Sequence, residues 1–227
     1  GSSRVCLSCH DGTIALGAFL KAPRRPNDLS NTLLVGRSQL GTDLADDHPI
    51  SFLYDAALAA QDSHLASPGS TGLPLENGEL QCTTCHDPHE RDLEPFLRKT
   101  TMSGELCTTC HALSDIGWDW AGSSHATSTN TPRGPSPWPE RKPEWRGANV
   151  AENSCFNCHR PHSAATPERL IKAAEENTCY LCHDGTTAAT NIEADFLKTY
   201  KHPVDITPNP DHDAAIIENP FTATLHS

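Results

Sequence analysis

All ten cysteines of the chain fall into pairs of one spacing: Cys6/Cys9, Cys82/Cys85, Cys107/Cys110, Cys155/Cys158 and Cys179/Cys182. A histidine follows each pair directly, at His10, His86, His111, His159 and His183. On a helical turn, residues three and four apart share a face. Two thiols so placed can close thioethers to two vinyl groups while the next imidazole is aimed at an iron. Cys-x-x-Cys-His is the attachment signature of c-type haem. Zinc sites also use Cys-x-x-Cys, but they combine two pairs into one tetrahedron, and five pairs leave one over. Disulfides suit an oxidising compartment and give no role to a histidine after every pair. The residues therefore predict five haem c groups, with ten cysteine tethers and five proximal histidines.

Five irons need five further ligands. The one methionine, Met102, serves at most one of them, whereas eight more histidines remain: 48, 64, 89, 125, 162, 202, 212 and 226. Bis-histidine ligation throughout is thus available, and without the potential-raising methionine it predicts low reduction potentials. The Cα atoms of two axial ligands lie roughly 12–13 Å apart, and three extended residues span at most about 11 Å. His89 therefore cannot close the His86 haem, nor His162 the His159 haem; each is expected to serve another iron. His48 and His202 each precede a proline, which biases the backbone towards extended and suits an imidazole reaching out of a loop. With His125, in a Ser-Ser-His-Ala turn, these five are the expected distal ligands. His64, near the end of an expected short helix, and His212, in the tail, are weaker candidates. His226, close to the C-terminus, is a candidate for ligating the haem of a neighbouring copy, which would make a head-to-tail contact.

The elements that carry these groups repeat. Cys82–His111 and Cys155–His183 each hold two boxes, 25 and 24 residues apart, and each continues its first box as His-x-Pro-His. Eight residues past the second histidine stands Leu97 or Leu170, followed two later by Lys99 or Lys172. This is an internal repeat of a di-haem module, with a helix-like segment expected between the boxes of each. The outer boxes share a different phrase, Cys-His-Asp-Gly-Thr followed later by His-Pro, at Cys9–Thr13 with His48 and at Cys182–Thr186 with His202. One pentahaem domain over 1–227 is expected. It divides into a single-haem section (1–81), a di-haem module (82–111), a linker (112–154), a second module (155–183) and a ligand-bearing tail (184–227). Short helices are expected around Tyr54–Leu65 and Asn191–Tyr200. The linker holds all four tryptophans, Trp118, Trp120, Trp138 and Trp145, expected to pack against haem edges or to anchor the loop. Residues 21–26, Lys-Ala-Pro-Arg-Arg-Pro, read as a basic, proline-stiffened loop.

Composition agrees with a core made by cofactor. Hydrophobic residues are 36%, against 18 Pro and 14 Gly, too few to offset the ordering entropy by side-chain burial alone. The expected fold class is mostly irregular, with a few short α-helices and little or no strand, wrapped around a stacked haem chain. A formal charge of −12 disfavours nucleic acid as partner and favours steering to cationic partners. No 18-residue apolar run exists, so no membrane span is expected. No signal-peptide pattern opens the chain, which reads as a mature form. Because haem c is attached outside the cytoplasm, the expected location is extracytoplasmic, with extracellular or cell surface favoured over periplasm.

The CxxCHxPH…LCxxCH arrangement resembles the doubled-CxxCH multihaem c-type cytochromes, here in pentahaem form. The CHDGT…HP phrases resemble those of extracellular members. That resemblance implies loop-rich polypeptide around a haem chain, bis-histidine iron and long-range electron transfer, with some members polymerising into filaments. The first section departs from it, a lone box without a paired partner. Electron transfer to other redox proteins or extracellular acceptors is the leading function, in an extracellular filament or alternatively a soluble periplasmic shuttle. The rival from another class is a multihaem reductase of a small oxyanion. Such an enzyme needs an iron with an open position, and here every box ends in histidine and sixth ligands are in surplus, so no enzymatic activity is expected. Haem-based sensing or storage is a third reading.

Overall fold

The computed structural model describes residues 1–15, 33–93, 95–112, 120–139, 141–142, 145–173 and 175–200. The basic loop at 21–26, Trp118, and the histidines at 202, 212 and 226 lie outside them. Most of the described chain is irregular. Its helices are short: α1 (Ser3–His10), α2 (Ala56–Gln61), α3 (Cys82–Cys85), α4 (Glu105–Thr108), α5 (Ser124–Thr127), α6 (Val150–Asn153), α7 (Glu175–His183) and α8 (Ile192–Phe196). Two-residue strands β1 (Phe52–Leu53) and β2 (Glu79–Leu80) pair antiparallel, Phe52 opposite Leu80. The two sequence-expected helices exist in shortened form. Asp55 caps α2 by accepting from the Leu58 N–H, and Asn191 caps α8 by accepting from Ala194.

Few apolar side chains are buried among the described residues: Tyr54, Leu80, Leu97, Trp138, Val150 and Ala164. Buried polar ones outnumber them, including Gln81, Thr84, Asn153 and Asn157. Each of these is held by hydrogen bonds, as a buried polar group must be. Gln81 Oε1 accepts from Ser3 N and Ser51 Oγ, which ties α1, β1 and α3 together. Asn153 Nδ2 donates to the Gly147 and Asn149 carbonyls and Asn157 Nδ2 to the Val150 carbonyl. A chain so packed has small pegs and no apolar centre of its own, which is compatible with a fold completed by porphyrin.

The segment between the boxes of the second module is not a helix. Glu168–Leu170 is a single 3-10 turn broken by Arg169 at φ 63° and Leu170 at φ 54°, and regular helix starts only at α7, which carries the last box itself. This corrects the helix-like expectation, and the reason is a job for the backbone. In each module the chain must fold back to brace its first box. Arg98 N donates to the Cys85 carbonyl and Lys172 N to the Cys158 carbonyl, both at 2.9 Å. Arg98 Nε reaches the carbonyl of Thr83, and Lys172 Nζ that of Phe156, the residue after the first cysteine in each case. The structural counterpart of Lys172 is therefore Arg98, one residue away from the Lys99 that sequence spacing pairs with it. Phe96, at φ 61°, is likewise the counterpart of Leu170.

The linker is woven into both modules. Trp138 is 1% exposed and its Nε1 donates to Asn157 Oδ1 at 3.0 Å. Arg141 stacks over Phe156 at 4.3 Å and donates to Thr101 Oγ1. Val150 N and Ala151 N pair with the carbonyls of Asn130 and Ser128, and Arg133 N with that of Thr186. Where the modules meet, Gly104 takes φ +78° and a side chain there would stand 2.6 Å from Ser154 Oγ and 3.1 Å from Cys155 Sγ. Glycine is required on both counts.

Candidate haem-ligating site

Each box sits on one turn of helix or on a 3-10 turn, and each is braced by a strand-like segment returning to it. The first and last boxes share a device read directly from Cys-His-Asp-Gly-Thr. Asp11 Oδ1 accepts from Thr13 N and Oγ1, both at 2.8 Å, and Asp184 Oδ1 accepts from Thr186 N and Oγ1 at 2.8 and 2.6 Å. Gly12 and Gly185, at φ 76° and 91°, turn the chain off the helix. The third box is braced from upstream: Ala66 N donates to the Cys110 carbonyl, and Tyr54 Oη donates to the Ala66 carbonyl at 2.6 Å. Burial first, then the Cys110 thiol, pushes the Tyr54 hydroxyl up to about 12, so it stays a donor.

The braces also fix the imidazoles. His10 Nδ1 lies 2.7 Å from the Ser38 carbonyl, His86 Nδ1 2.9 Å from that of Pro95, and His159 Nδ1 2.7 Å from that of Arg169. A carbonyl accepts only from N–H, so Nδ1 carries the proton and Nε2 is left with its lone pair for a metal. His183 Nδ1 is buried without a partner.

Three of the five box histidines have another imidazole facing them. His48 faces His111, His162 faces His86 and His125 faces His183, each pair with ring centroids 6.2 Å apart. An imidazole nitrogen bonds a first-row metal at about 2 Å and the ring centroid lies about 1 Å behind it, so two rings on one metal sit about 6 Å apart. The spacing fits one iron between each pair. Burial, in each case the leading cause, pushes His48, His86 and His111 below the usual histidine range. They are thereby held neutral, the form that can ligate.

Of the remaining expected ligands, His10 and His159 have no facing ring among the described residues. His64 and His159 both lie near enough to His111 to lower it further. Among the described residues no imidazole faces His89, which is expected as a distal ligand of another iron. Asp87 accepts from His89 N at 3.0 Å and is anchored by Arg98 at 2.9 Å, which turns the His89 ring outward to 94% exposure. The second module has Arg160 where the first has Asp87, and no such turn forms.

The ten sulfurs stand here as thiols where the holoprotein has thioethers, so it is their positions that matter. The Cys6 thiol contacts that of Cys82, and Cys107 contacts Cys155. Cys85 lies close enough to Cys110, and Cys158 to Cys179, to raise each first-named thiol. Burial leads both shifts, to about 11. Boxes adjacent in sequence are therefore adjacent in space, from first to last.

One residue that the sequence reading passed over belongs to this site. Asp47, 4% exposed, accepts from His162 Nδ1 at 3.0 Å and from Ser163 N at 3.2 Å. Its only signal in sequence was its place directly before His48-Pro49.

Paired thiols, neutral facing imidazoles and an irregular wrap define a multihaem c-type cytochrome with a role in electron transfer. Residues 73–115 and 148–188 match the family model of the doubled CXXCH motif. No curated protein matches the chain. Among the described residues no helix is long and apolar enough to cross a membrane.

Proposed function

We propose that the protein is a long-range electron conductor with five haem c groups, one per box, each held between two histidines. Haem supplies a reversible one-electron iron couple; the chain supplies its tethers, axial ligands and spacing. The observation that carries this reading is the unbroken succession of neighbouring boxes, Cys6–Cys82, Cys85–Cys110, Cys107–Cys155 and Cys158–Cys179. A branched or clustered arrangement would serve storage; a single file serves transport. The protein is not an enzyme in this reading, since every box ends in histidine and eight further histidines are available for five sixth positions. Its site of action is extracellular or at the cell surface, and its partners are other redox proteins or extracellular acceptors.

The test is a pyridine haemochrome assay on purified holoprotein, combined with its intact mass and its ferric spectrum. Five haems per chain, all low-spin, are expected. A lower stoichiometry, or a high-spin fraction that binds nitrite, would overturn the reading in favour of the oxyanion reductase.

Self-association into a filament is part of the same proposal, with histidine from one copy ligating iron in the next. His226 is the candidate from sequence, and His89 joins it on its 94% exposed ring with no facing imidazole among the described residues. Negative-stain images of wild type beside His89→Ala and His226→Ala test this. Filaments lost in one variant are expected, and wild type that is monomeric at all concentrations would overturn it.

A further inference from the structure

The axial histidines differ in what stands behind them. Among the described residues, His10, His86 and His159 back onto main-chain carbonyls, as does His48, whose Nδ1 is 3.1 Å from the Pro49 carbonyl. His183 has nothing at its buried Nδ1. His162 alone among those described backs onto a buried carboxylate, at 3.0 Å.

That carboxylate is placed with some care by the chain. His48 N donates to the Pro161 carbonyl at 2.8 Å and Ala164 N to that of Asp46 at 2.9 Å, so segments 46–48 and 161–164 are locked together. Asp47 Oδ1 is shared by the His162 ring and the Ser163 N–H, while Oδ2 is buried without a partner. No lysine or arginine among the described residues pairs with Asp47. A buried anion in that position needs positive charge nearby, and the bond it makes leads through His162 to the iron position facing His86.

We infer that Asp47 is a tuning residue that sets the reduction potential of the His86/His162 haem and makes it the lowest of the series. The inference rests on the haem reading above. A carboxylate accepting the Nδ1 proton raises the basicity of the ligating nitrogen, and its charge favours the ferric state, which carries one more positive charge than the ferrous. One electron enters the iron on reduction and no bond is made or broken, so the whole effect appears in the potential.

The experiment is a spectroelectrochemical titration of holoprotein, with electron paramagnetic resonance of the ferric state. Asp47→Asn is expected to shift one component positive by about tenfold in its reduction equilibrium, about 59 mV for one electron, and to widen the g spread of one low-spin signal. Asp47→Glu is expected to restore part of both. Asp46→Asn, a neighbour that does not touch the ring, is expected to leave both unchanged. His162→Met identifies the component in question, which must be the lowest-potential one of wild type; this arm needs no Asp47 variant to fold. A His162 component elsewhere in the series, a uniform shift of all components, or an equal effect of Asp46→Asn would overturn the inference. Loss of haem in the wild-type assay would instead overturn the haem reading beneath it.

Discussion

His89 and His162 occupy the same place in their modules and are put to different uses. The reach of three residues bars both from their own box, and that much is legible in sequence. Where each goes instead is decided by residues far away or of unlike type: Asp87 and Arg98 turn one ring to solvent, and Asp47, more than a hundred positions upstream, receives the other. No local pattern encodes that. The difference predicts that His162→Ala leaves one haem five-coordinate. A high-spin charge-transfer band should appear in the ferric spectrum, whereas His89→Ala should leave the spectrum of dilute monomer unchanged. His48 and His125 were legible as candidate ligands because a turn or a proline isolates each, and the rings that face them, His111 and His183, emerge only from the fold.

At the level of elements, the repeat was visible in sequence but its register was not. Spacing aligns Lys99 with Lys172, while the brace hydrogen bonds align Arg98 with Lys172. The second module's extra residue lies upstream of Arg169, because His86 meets the Pro95 carbonyl where His159 meets that of Arg169. The expectation of a tryptophan-anchored linker has a definite form in Trp138, whose indole is buried and hydrogen-bonded to Asn157 at the core of the second module. Trp138→Ala removes a fully buried ring and an indole donor, a change worth about 3–5 kcal/mol in a close-packed site. Urea unfolding of the holoprotein, followed by near-ultraviolet circular dichroism, should show a lower midpoint. Trp138→Phe should recover most of it and leave the Asn157 amide oxygen to water.

For the molecule as a whole, charge and order set what it can do. A formal −12, made more negative by haem propionates, predicts that electron transfer from a small cationic donor slows as salt rises. The screening length falls to about 10 Å at 0.1 M, and stopped-flow rates over a salt series should show it. The haem chemistry was legible because attachment to porphyrin requires a fixed local spelling. The path of the chain between boxes was not, because few apolar residues pattern it and its pegs are single buried polar groups such as Gln81 and Asn153. The contact that brings the modules together, Cys107 against Cys155, also has a consequence for biogenesis. Before haem is attached these are two free thiols in an oxidising compartment, one of them made more acidic by the other's hydrogen bond, and thiolate is the species that is oxidised to disulfide. Each belongs to a different box, so a bond between them would block two attachments at once. Chain exported without haem should accumulate a Cys107–Cys155 crosslinked peptide in non-reducing mass spectrometry, and attachment must therefore outpace oxidation at this junction.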